Sequence, residues 1–154
     1  ERLLVLSGFY EPAASEAPKW QLPLLKTLYG KHLVADSFSN GADSADPGFS
    51  YRALAQYLII GDNLRTDPES PALRSVATVT AEDDARIDHE LAVSIPGTLA
   101  EANGLELLEA VIPGEWGVGH EVVNTSVPGV AEHREELFHL YLDLYAGRPA
   151  AGLA

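Results

Sequence analysis

At 154 residues and 16.5 kDa the chain is the size of one domain and long enough to bury a real core. It has no Cys, which excludes disulfide scaffolds, thiolate metal sites and Cys nucleophiles. Its net charge of −13, from 10 basic and 23 acidic residues, argues against a nucleic-acid role, because phosphate binding needs clustered Lys and Arg. No apolar run approaches the roughly 18 residues of a membrane span. The charge is uneven. Residues 1–75 hold seven basic and nine acidic side chains, net −2, and residues 76–154 hold three basic and fourteen acidic, net −11. With 46% hydrophobic residues overall, the acidic half still reads as globular.

Arg2–Gly8 (RLLVLSG) is an apolar run closed by Gly, as in a buried strand. Residues 11–50 carry Pro12, Pro18, Pro23, Pro47 and Gly30, Gly41, Gly48. They predict an excursion of short helices and loops, with a helix-like piece at Trp20–Tyr29. Phe49–Ile60 predicts a helix through Leu54, Tyr57 and Leu58, ended by Gly61-Asp62-Asn63 and Asp67-Pro68. Ser75–Thr80 is a β-branched strand and Ala81–Asp88 a loop. His89–Asn103 predicts a helix despite Pro96 and Gly97, because Leu91, Ile95 and Leu99 share a face. Leu105–Pro113 is the next strand and Gly114–His120 a loop. In Ala131–Ala146, residues Leu137, Leu140, Tyr141, Leu144 and Tyr145 form the stripe of an amphipathic helix, ended by Gly147 and Pro149.

This alternation predicts an α/β fold with a parallel sheet and flanking helices. Sites in such folds form in loops at the carboxyl ends of strands. The loop after Ser75–Thr80 offers Glu82, Asp83, Asp84 and Asp88, and the loop after Leu105–Pro113 offers Glu115, His120 and Glu121. A carboxylate that accepts from imidazole Nδ1–H fixes the tautomer and leaves Nε2 as a base. Adjacent parallel strands could bring Asp84 and His120, 36 residues apart, into that arrangement.

From Ser75 to Pro149 the chain resembles the C-terminal half of an α/β-hydrolase. The pieces are the strand and acid turn VATVTAEDDARID, the strand and His loop LELLEAVIPGEWGVGH, and the terminal helix EHREELFHLYLDLYAG. The resemblance implies Asp84 as the triad acid and His120, preceded by Gly119, as the triad base. Ala81 stands where the family often has Gly, and Asp83 competes for the acid role by one residue of register. Residues 1–10 then correspond to an inner core strand, 11–74 to a cap or lid, and 75–154 to the C-terminal core. The cap would hold Trp20, Tyr29, Phe38, Phe49, Tyr51 and Tyr57, suited to covering an acyl or aromatic substrate.

The family's nucleophile elbow would precede Arg2. Together with the absence of Met and the opening Glu1-Arg2-Leu3-Leu4-Val5-Leu6, this predicts a processed or truncated chain. An alternative nucleophile is Ser39 in Ser37-Phe38-Ser39-Asn40-Gly41, with His32–Asp36 as its strand. The implied activity is serine esterase- or lipase-like acyl hydrolysis without a cofactor or a metal. The substrate would be a small ester, neutral or cationic given the acidic surround. A further polypeptide segment or a second copy would complete the fold, since a sheet beginning at an inner strand leaves an open edge. The other readings are a non-catalytic binding module and an acidic regulatory domain holding a divalent cation at Glu82–Asp84. His32, His133 and His139 read as surface or helix-face residues. Localisation is left open, with the cytoplasm as default.

Overall fold

The structure, a computed structural model, describes residues 1–15, 18–37 and 50–150. Three parallel strands form the sheet in the order β1 (Arg2–Leu6), β2 (Ser75–Ala81), β3 (Leu107–Ile112). The register pairs Leu6 with Val79 and Val79 with Ala110. Every residue of β2 is buried, as expected of a central parallel strand covered on both faces. Strand alternation then sorts its side chains. Ala77, Val79 and Ala81 join Ala110 and Ile112 in one core with Leu137, Leu140, Tyr141 and Leu144 of helix α5 (Arg134–Tyr145). Val76 packs into a second cluster with Leu99 and Ala100 of helix α3 (His89–Ala102).

Thr78, on the α3 side, resolves a backbone problem set by Pro96. A proline inside a helix cannot donate to the carbonyl four residues earlier, here that of Ala92. The Thr78 hydroxyl donates to that carbonyl at 3.1 Å, in a fully buried position. Thr78→Val is therefore expected to cost about 1–3 kcal/mol, because it strands a buried acceptor. The cost should shrink in a Pro96→Ala background, where residue 96 regains its N–H. Urea midpoints of the four proteins of this cycle check it, and equal costs in the two backgrounds would contradict it.

Between β1 and β2 runs a helical excursion. It comprises a 3-10 turn at Lys19–Gln21, the short helix α1 (Leu22–Leu25) with a π-helical continuation at Lys26–Gly30, and helix α2 (Tyr51–Thr66). Ser50 caps α2 by accepting from the Ala53 N–H. Leu54 and Leu58 of α2 pack with Leu22, Leu25 and Phe9. Gly61 does not end this helix, contrary to expectation. It is buried against Tyr10 and Ile95, where a Cβ would lie 3.3 Å from Tyr10 Cβ, so the Gly serves close packing. The helix stops at Asp67, whose conformation the following Pro68 pushes out of the helical region.

The terminal helix also differs from expectation. It is divided at His133 into α4 (Pro128–Glu132) and α5. The His133 ring stacks on Trp116 at 3.9 Å and 9°. Tyr145, expected on the buried stripe, is exposed. Among the described residues, no helix is long and apolar enough to cross a membrane.

Candidate acid–base site

The site sits where β2 and β3 end. After Ala81 the chain turns, with the Asp84 N–H donating to the Ala81 carbonyl at 3.1 Å. This turn buries Asp84 to 1% exposure. One of its carboxylate oxygens accepts from the Arg86 N–H at 3.0 Å. The other lies 2.9 Å from His120 Nδ1. Because a carboxylate can only accept, Nδ1 carries a proton, and in the neutral ring this tautomer leaves the lone pair on Nε2. Asp84 is sealed while the His120 side chain is 30% exposed, so the imidazole is the reachable member of the pair. Among the described residues, His120 Nε2 has no hydrogen-bond partner.

Backbone pairing holds the acid turn from behind. Pro12 bridges Ile87 in antiparallel fashion, the Ala13 N–H donates to the Arg86 carbonyl, and the Asp88 N–H donates to the Glu11 carbonyl. Asp88 also caps α3 by accepting from the Leu91 N–H. Its hydrogen bond from Lys19 holds its carboxyl below the usual carboxylate range. His89 Nε2 lies 2.6 Å from the Asp84 carbonyl, so that nitrogen is the donor.

His120 stands on a loop shaped by Gly117 and Gly119, both with left-handed φ near +60°. Buried Val118 and Val122 anchor the loop in the α5 core. The Tyr141 hydroxyl donates to the Val122 carbonyl at 2.7 Å, and burial pushes this phenol up to about 12. Phe9 meets the His120 ring edge-on at a 6.2 Å centroid distance and contacts Tyr57 of α2 at 6.4 Å. The excursion thus reaches the site through one aromatic side chain.

The neighbouring acids do other work. Asp83 uses both oxygens on the Gly119 N–H at 3.0 Å, and Glu82 accepts from the Gly114 N–H at 2.9 Å. Asp83 therefore does not meet the imidazole, and the Glu82–Asp84 run does not converge on one point. Among the described residues, no group of three His, Cys, Asp or Glu side chains is placed to hold a metal ion. Glu115 and Glu121 are exposed. His32–Asp36, the strand expected before Ser39, forms a turn and irregular backbone. The backbone turns there: His32 takes a left-handed φ of 56°, two residues after the π-helical segment ends at Gly30. Ser39 itself lies outside the described residues.

Two residues just beyond β1 were not singled out from the sequence. One is Phe9. The other is Ser7, at the carboxyl end of β1, which has a left-handed φ of 45°, is buried, and has no hydrogen-bond partner for its hydroxyl. The only advance signal for both was position, directly beyond a strand of a parallel sheet. No family model, no curated protein and no solved structure matches the chain.

Proposed function

We propose that Asp84 and His120 are the acid and base of a serine hydrolase of the α/β-hydrolase type, acting on an ester or related acyl substrate. The observation that carries this reading is the 2.9 Å contact between His120 Nδ1 and a buried carboxylate, made at the carboxyl ends of adjacent parallel strands. His120 Nε2 takes the proton of a serine hydroxyl as its oxygen attacks the acyl carbon. Asp84 stabilises the imidazolium that results. The imidazolium then protonates the departing alkoxide. Water, deprotonated by the same nitrogen, frees the acid and restores the serine. The serine is supplied by a segment seated beside β1, by another chain, or by Ser39. Among the described residues β1 pairs only with β2, so its other edge is open to such a segment. Residues 11–74 act as the cap, with Tyr57 from it and Phe9 just before it flanking the acyl group.

The test is labelling of the full protein with a fluorophosphonate, located by peptide mass spectrometry. One serine should be labelled in a manner that depends on His120. The labelled peptide distinguishes Ser39 from a serine on a docked segment. No His120-dependent label on any chain would overturn the reading in favour of a binding module.

A further inference from the structure

Three consecutive carboxylates at the end of β2 reach the loop after β3 at three successive points. Glu82 takes the Gly114 N–H, Asp83 takes the Gly119 N–H with both oxygens, and Asp84 takes His120 Nδ1. We propose that Asp83 is a positioning residue for His120: it fixes the peptide immediately before the base and so holds the imidazole on Asp84. The inference rests on the acid–base reading above.

The argument begins with Gly119. Its φ of 59° is one that glycine enters without steric cost and leaves just as easily. A Cβ built there would meet nothing within 4 Å, so no side chain packs against its open face, although its neighbour Val118 is buried in the α5 core. What holds its own N–H is the carboxylate of Asp83, through a charge-assisted bond. Rotation about Gly119 swings the Cα of His120, and with it the Nδ1 contact. Asp83 is exposed, so its contribution to global stability is small, while its leverage on one side chain is large. Glu82 acts five residues further upstream, at Gly114, and has correspondingly less leverage on the ring.

The experiment compares Asp83→Ala and Asp83→Asn in the full protein. The Asn side-chain oxygen can still accept from Gly119, whereas Ala cannot. Asp83→Ala should speed hydrogen exchange of the Gly119 amide about tenfold and lower kcat for p-nitrophenyl acetate about 10–100-fold, with KM nearly unchanged. Asp83→Asn should restore most of both. In Asp83→Ala the His120 Nδ1 proton resonance should broaden, while the melting temperature stays near that of the unmutated protein. Unchanged Gly119 exchange in Asp83→Ala would overturn the clamp. Faster exchange with a sharp, unshifted Nδ1 resonance would overturn the positioning role. If the unmutated protein shows no hydrolysis, the hydrolase reading fails, yet the amide and imidazole signals still decide whether Asp83 positions the ring.

Discussion

Under the proposed mechanism, Asp84→Asn is expected to lower ester turnover roughly 10³–10⁴-fold while leaving the fold intact. The substitution is isosteric, so its effect comes from hydrogen-bond polarity. Asp84 accepts from both the Arg86 N–H and His120 Nδ1. An Asn that keeps its oxygen on Arg86 turns an N–H towards Nδ1. The imidazole then has to accept there, its proton moves to Nε2, and the lone pair needed for the base is lost. The opposite amide orientation sets a donor against the Arg86 N–H in a buried position, at a cost of about 1–3 kcal/mol. Steady-state kinetics with circular dichroism as a fold control check this. Turnover within a few-fold of the unmutated protein would remove Asp84 from the mechanism.

Gly129→Ala should be the most destabilising small substitution in the C-terminal half, by about 3 kcal/mol. A Cβ at this position would lie 1.9 Å from the Trp116 carbonyl oxygen and 2.7 Å from that of Gly117. These are backbone atoms, so no rotamer change relieves the clash. Either α4 or the Gly114–Trp116 turn has to move. That turn is tied to Glu82 through Gly114 and leads directly to His120, so activity should fall with stability. Gly97→Ala is the control. Its Cβ would meet only Leu107 Cδ2, at 3.8 Å, and it lies within α3, so it should be neutral or slightly stabilising. Chemical denaturation of both variants checks the contrast. A Gly129→Ala protein as stable as the unmutated one would contradict the packing described.

The meeting of Asp84 and His120 was legible in the sequence because a parallel sheet brings the carboxyl ends of neighbouring strands together. A strand, an acid, a helix, a strand and a Gly-His suffice to predict that meeting. The resemblance put Asp84 rather than Asp83 opposite the imidazole, but the local residues alone do not decide between them. The choice depends on which carboxylate the turn after Ala81 carries inward, and one residue of register reverses it. Helix limits failed where tertiary packing overrode local signals. Gly61 looked like a terminator but serves contact with Tyr10, and the break at His133 accompanies its stacking on Trp116. Pro96 announced a free carbonyl at Ala92, but only the fold shows that Thr78 answers it. The contact of Phe9 with His120 gave no compositional sign, since it depends on where β1 ends.

The most direct measurement is the second-order rate of fluorophosphonate labelling in the unmutated protein and in His120→Ala. The account predicts a single labelled serine whose rate falls at least about a hundredfold when His120 is removed. Labelling at the same rate in both proteins would contradict the assignment of His120 as the base.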